Sequence, residues 1–119
     1  QDSGNTPAVL KPEQEIFTVV ETMPVFPGGE KELHAFLQRH MIYPETAVQS
    51  GLEGKVFVEF VVDKNGKVKD VKIVRGVHHL LDQEALRLIM LTSSLWTPGR
   101  QRGAGVDVKM IIPVVFKLK

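Results

Sequence analysis

A chain of 119 residues, 43% apolar and 24% charged, has the balance of one globular domain with a modest core. Fifteen Lys plus Arg against fourteen Asp plus Glu leave a net charge of +1, so no nucleic-acid partner is expected and no polybasic run points to a membrane surface. Cysteine is absent, which excludes disulfides, thiol chemistry and Cys-based zinc sites.

Residues 1–14 read as a linker tail, polar through Ser3, Gly4, Asn5 and Thr6 and broken by Pro7 and Pro12. No apolar stretch reaches the ~20 residues that span a bilayer, and no signal-peptide pattern opens the chain. Targeting and anchoring are therefore expected upstream, and one domain is expected over residues 15–119. Its first segment, 15–21, is rich in β-branched residues and predicts a short strand. Met23-Pro24-Val25-Phe26-Pro27-Gly28-Gly29 must then be a loop.

A helix follows from about Glu30, with Leu33, Phe36, Leu37 and Met41 on one face. Tyr43-Pro44 ends it, because the residue before a proline is pushed out of the α region. Pro44 opens a second short helix with Ala47 and Val48 inward and Gly51 as its left-handed stop. Val56, Val58, Phe60 and Val62 share one face of a strand over 55–62, and Asp63-Lys64-Asn65-Gly66 turns it into a hairpin. On the return strand, 67–75, Val68 is out of step with Val71 and Ile73, which predicts a bulge near Lys69-Asp70. A third helix over 81–91 turns Leu81, Ala85, Leu88 and Ile89 inward and stops at Trp96-Thr97-Pro98-Gly99. The last strand, 106–118, carries Val106, Val108, Met110, Ile112, Val114, Phe116 and Leu118 on one face.

This order predicts an α+β domain. A small antiparallel three-stranded sheet, made of the hairpin and the C-terminal edge strand, carries helices on one face, and its other face is largely solvated. An extra N-terminal strand has two edges to seat on, the last strand 106–118, which it would then cap, or the return strand 67–75. The second is slightly favoured, because the Pro-Gly loop and first helix must still reach the sheet face.

Catalytic and metal-binding patterns are weak throughout. His34 and His40 are six residues apart and do not align on a helix, and His78-His79 are adjacent, so neither pair has ligand spacing. Ser50, Ser93 and Ser94 lack a nucleophile elbow, Asp82 and Glu84 suit a helix start for dipole reasons alone, and Gly103-Ala104-Gly105 lacks the Lys-Ser/Thr of a phosphate loop. No enzyme activity, metal or cofactor is expected. Trp96 is expected to close the end of the core.

The last strand carries the functional signal. Pro113 lies in its interior, and a proline is tolerated where its nitrogen faces away from a ladder. If Pro113 faces a free edge, Lys109, Ile111, Val115 and Lys117 turn their backbone groups the same way and offer a ladder to another chain. Against this, Lys109, Lys117 and Lys119 are residues that discourage edge pairing. Open ladder and protected edge both fit the residues.

Three motifs, Tyr43-Pro44-x-x-Ala47-x-x-x-Gly51-x-x-Gly54-x-Val56, Asp63-x-x-Gly66-x-Val68 and Trp96-x-Pro98-Gly99, together resemble the TonB C-terminal domain. The stretch Phe17-Thr18-Val19-Val20-Glu21-x-Met23-Pro24-x-Phe26-Pro27-Gly28-Gly29 is similar to the extended form found in Bacteroidota. The resemblance implies a periplasmic domain of an energy transducer, anchored in the inner membrane and linked there to a motor complex. Its implied partner is the TonB box of outer-membrane transporters, added as a strand beside the last strand, with a homodimer as a further possibility. It also assigns partner contacts to His40, just ahead of the Tyr-Pro pair, and to Tyr43. Glutamine stands at the His40 position in proteobacterial members, which also lack Pro113. A sensory or scaffolding tail of another envelope protein, such as a membrane metallopeptidase, is the alternative, and a His-Glu-x-x-His segment upstream would mark it.

Overall fold

Strict alternation at Val56, Val58, Phe60 and Val62 builds the spine of the sheet, and all four are buried against the helices in the computed structural model. The structure describes residues 16–119. The expected linker tail, residues 1–14, lies outside the described residues, as does Glu15. The elements are β1 (Ile16–Phe17), α1 (Glu30–His40), α2 (Glu45–Gln49), β2 (Gly54–Val62), β3 (Val68–Arg75), α3 (His79–Leu91), β4 (Gly99–Gln101) and β5 (Ala104–Phe116).

The order across the sheet is β1-β5-β2-β3, with β4 paired to β5. The central hairpin is as expected: β2 lies between β3 and β5, antiparallel to both. The sheet is nevertheless five-stranded rather than three-stranded. One added strand is β4. The Trp-x-Pro-Gly segment does not merely stop α3 but continues into Gly99–Gln101, which turns through Arg102 and Gly103, both at positive φ, into β5. The last strand accordingly runs 104–116, and Lys117 falls one residue past its end.

The other added strand is β1, and it takes the less favoured of the two expected edges. It pairs parallel to β5 through Ile16↔Asp107 and Phe17↔Val108, not to β3. Two backbone bridges explain this. Thr22 pairs with Arg100 and Val25 with Thr97, which pins the following loop beside β4. Among the described residues the strand covers Ile16 and Phe17 alone, and 18–21, expected to continue it, do not.

The bulge on β3 is present. Glu59 pairs with Lys72 and Val61 with Lys69, so Asp70 and Val71 stand opposite Phe60, and Asp70 takes φ 53°. Leu33 and Leu37 of α1, Ala47 of α2, and Leu81, Ala85, Leu88 and Ile89 of α3 complete the core. Val48 does not join it: it is exposed, because a five-residue helix turns only Ala47 fully inward. The sheet face away from the helices is open to solvent along most of its length. Its exceptions are Val61 and Asp107, both buried near the hairpin turn, where Lys69 pairs with Asp107 at 2.8 Å.

Trp96 closes the core on the helix face, beside the same hairpin turn. It is 6% exposed, lies 5.6 Å from the Phe26 ring and 5.7 Å from Phe60, and donates from Nε1 to the buried Thr92 hydroxyl at 2.9 Å. Gly66 makes that closure possible: at φ 81°, a Cβ there would lie 2.3 Å from the Trp96 carbonyl oxygen.

Candidate functional site

Two stretches of sheet edge are open among the described residues, β3 and the part of β5 that β1 and β4 leave uncovered, and they differ in kind. β3 carries Lys69, Asp70, Lys72 and Arg75, and its register against β2 breaks twice. Charges and bulges of this sort prevent another strand from lying flat along an edge. β5 is regular: its pairing with β2 runs without a break from Gly54↔Phe116 to Val62↔Val108.

Pro113 stands opposite Phe57 within that unbroken ladder. Having no N–H, it fits a position where backbone groups point away from the partner strand. The outward set is then Lys109, Ile111, Pro113 and Val115. A side chain that reaches this edge agrees: Gln38 Nε2 of α1 donates to the Val115 carbonyl at 2.9 Å. β1 covers β5 only as far as Val108. Among the described residues, no strand pairs the outer side of β5 beyond that point. An open ladder therefore runs from Lys109 to Val115, bounded by β1 at one end and Gln38 at the other.

Beside this ladder, on the helix face, lies a groove of about 350 Å³. Met110 and Ile112 form its sheet side, Leu33 and Trp96 its floor, and the Pro24–Phe26 loop its far wall. Glu30 and His34 stand at the first turns of α1, 3.8 Å apart, and contribute the ionisable groups of the lining.

The structure brings together Lys109, Ile111 and Val115 on one edge. Ile111 is 55% exposed, and Lys109 and Val115 are half-buried. Lys117 follows, exposed, past the strand. His40 lies at the end of α1 that carries Gln38, with its ring 4.3 Å from Phe36. Tyr43 is tied into the domain: its ring meets Phe116 edge-on at 5.7 Å and its hydroxyl donates to the Leu52 carbonyl. Burial and the nearby Glu53 carboxylate push its pKa above the ordinary 10.0.

Sequence reasoning missed three contributors. Gln38 is a polar residue on an exposed helix face, and nothing in its spacing points to an edge 77 residues away. The loop Pro24–Phe26 reads only as a break between elements. Glu84 is the third. Its carboxylate is buried, accepts from the Ile42 N–H at 2.7 Å, and is gripped by Arg87 Nε at 2.7 Å and Arg87 Nη2 at 2.6 Å. The same guanidinium donates to the His40 carbonyl at 2.9 Å, so α3 holds the turn between α1 and α2 in place.

The family model for the C-terminal region of the Gram-negative bacterial TonB protein matches residues 39–118. The chain belongs to the TonB C-terminal domain family. Proteins named TonB from two strains of Helicobacter pylori are each 31% identical over 78 residues, covering 65% of this chain and 26% of each relative. The chain thus spans about a quarter of the length of these curated relatives. Two solution structures of the Helicobacter pylori TonB C-terminal domain superpose with TM-scores of 0.59 and 0.58 at 27% identity. Each covers 75% of this chain, which in turn covers 79% and 92% of theirs. The TonB match begins at Arg39, so it includes β5 but not β1, the Pro24–Phe26 loop or most of α1. One side of the groove therefore lies on the TonB core and the other on residues that precede it.

Proposed function

We propose that this domain is the periplasmic, partner-gripping end of a TonB energy transducer, and that it binds the TonB box of outer-membrane transporters by adding it as a strand to β5. The observation that carries this reading is the regular unpaired ladder from Lys109 to Val115, set against a β3 edge that is bulged and charged. Backbone pairing suits a domain that serves several transporters, because it depends little on side-chain identity. A strand pulled along its own axis shares load over all its ladder bonds, which suits force transfer from an inner-membrane motor complex. An inner-membrane anchor and the contacts with that motor belong, in this reading, to the rest of the transducer. Its role is mechanical and not enzymatic.

Ile111→Pro tests the reading. It removes one outward N–H from the open ladder and leaves the bonds to β2 in place, as Pro113 already does two residues on. We expect at least about tenfold weaker binding of a TonB box peptide, with the thermal midpoint nearly unchanged. Equal affinity in a folded variant would refute docking at this edge.

A further inference from the structure

Lys69, Lys72 and Arg75 stand three residues apart on β3, a spacing that alternates sides in a regular strand. The two breaks in the register of β3 undo that alternation. They set Lys69 opposite Val61, Lys72 opposite Glu59 and Arg75 opposite Phe57. Residues opposite each other on adjacent strands project to the same face, and Phe57, Glu59 and Val61 alternate with the inward Val56, Val58 and Phe60. All three cations therefore stand on the sheet face turned away from the helices. A row of charge that forms no run in the sequence is assembled by two bulges.

We propose that this face is a docking surface for an anionic bilayer, with lipid phosphates as the groups that its cations meet. Lys55 of β2 and Lys109 of β5 share the face, since Lys55 alternates with Val56 and Lys109 stands opposite Val61. Two carboxylates on it, Glu59 and Asp107, pair with Lys72 at 3.4 Å and with Lys69 at 2.8 Å. Among the described residues, Lys55, Arg75 and Lys109 have no carboxylate within ion-pair distance. The Arg75 guanidinium instead lies 5.9 Å from the centre of the Phe57 ring. The helices on the opposite side have the reverse balance: Glu30, Glu32, Glu45, Asp82 and Glu84 outnumber Lys31, Arg39 and Arg87. A chain with a net charge of only +1 is thus polarised across its sheet.

Two features favour a bilayer over an acidic peptide. The cations are spread over three strands of an open face and do not line a cleft. Neighbours in the β3 row are separated by two residues of β2, about 7 Å, which is within the screening length of about 8 Å at physiological ionic strength, so they act on a surface as one field. Beside them stand apolar side chains, Ile111 at 55% exposure and Phe57, Pro113 and Val115 half-buried. A polar acidic chain gains nothing from these, whereas the boundary between headgroups and acyl chains takes apolar side chains flanked by Lys and Arg. The outward hydrogen-bonding groups of β5 lie in the plane of the sheet, so docking by the face needs no strand at β5 and leaves that edge uncovered.

The test sediments the 119-residue chain with vesicles of phosphatidylcholine alone and of phosphatidylcholine mixed with phosphatidylglycerol. The chain should sediment with the mixed vesicles, come off them as salt is raised, and stay in solution beside the neutral ones. Lys72→Gln together with Arg75→Gln should weaken binding more than about tenfold, at about fivefold per charge. Lys31→Gln together with Arg39→Gln removes the same charge from α1 and should change binding less than about twofold. All four side chains are exposed, so both variants should melt as the parent chain does. Equal loss in the two variants overturns the proposal, because net charge and not this face would then drive binding. Equal sedimentation with neutral vesicles, or none with either kind, overturns it as well. So does binding of polyglutamate that the mixed vesicles fail to displace, which would make an acidic chain the partner.

Discussion

At the scale of single residues, Trp96 does two jobs with one ring. Its indole is surrounded by Phe26, Phe60 and the Thr92 hydroxyl, and the same ring floors the groove. Trp96→Ala should cost about 3 kcal/mol, the usual scale for emptying a large aromatic site, read as a lowered midpoint in chemical denaturation. Lys69 offers a test with a defined sign. Its hydrogen bond to the buried Asp107 carboxylate holds its pKa above the ordinary 10.5. The folded state thus binds this proton more tightly than the unfolded chain. The stabilisation is fully present below pH 10.5 and disappears as pH rises through the folded value. The stability gap between the native chain and Lys69→Met should therefore be open near pH 8 and should close as pH rises past 10.5 and through the raised folded value. A gap of constant size would remove the ion pair from the account. Lys69 is half in solvent, so the effect is small. The packing role of Trp96 was readable in the sequence because a large apolar ring at a helix break has few other places to go. The pairing of Lys69 with Asp107 was not, because the residues are 38 apart and meet only through the register of β2 with both neighbours.

At the scale of elements, what could be read locally is what the structure shows. Alternation placed β2, β3 and β5, the out-of-step Val68 announced the bulge, and Tyr43-Pro44 marked the break between α1 and α2. What failed was pairing between distant segments. The seat of β1 is decided by the bridges from Thr22 and Val25 to β4, a strand hidden in a stretch that reads as punctuation. The grip of α3 on the α1–α2 turn was equally hidden, because an acid near a helix start has a sufficient local explanation in the dipole. Glu84 nonetheless serves Ile42, Arg87 and, through Arg87, His40. Glu84→Gln keeps the shape but removes the charge that holds both partners. It should cost about 2 kcal/mol, in the range for hydrogen bonds to charged groups. Amide exchange at Ile42 should quicken more than exchange in the middle of α3. A uniform change across both elements would mean that Glu84 serves general stability instead of holding the turn.

At the scale of the whole molecule, the question is whether the N-terminal segment guards the docking edge or merely lies beside it. The direction of β1 answers in mechanical terms. It runs parallel to β5 and meets it at Asp107 and Val108, so Thr18 and the residues after it are the ones that could continue along the ladder towards Lys109. The chain after Phe17 is carried to β4, where Thr22 is bridged to Arg100 and the Glu21 carboxylate accepts from the Arg102 N–H at 2.6 Å. Covering Lys109–Val115 would require breaking these contacts and extending Thr18–Glu21 along the ladder. A segment that capped the edge at rest would lower the apparent affinity for a partner by the fraction of time it spent there. A chain beginning at Thr22 keeps both bridges and the groove wall and, among the described residues, loses β1, the bend after it and the Glu21 contacts with Gln101 and Arg102. It should bind a TonB box peptide within about twofold of the full chain, because the open ladder is the same in both. Its stability should fall by only about 1 kcal/mol, since Ile16 is largely exposed and Phe17 half-buried, and the thermal midpoint by a few degrees. Binding that tightened about tenfold on truncation would show that β1 is the visible end of a cap, and that the edge left open between Val108 and Gln38 is only one of its states.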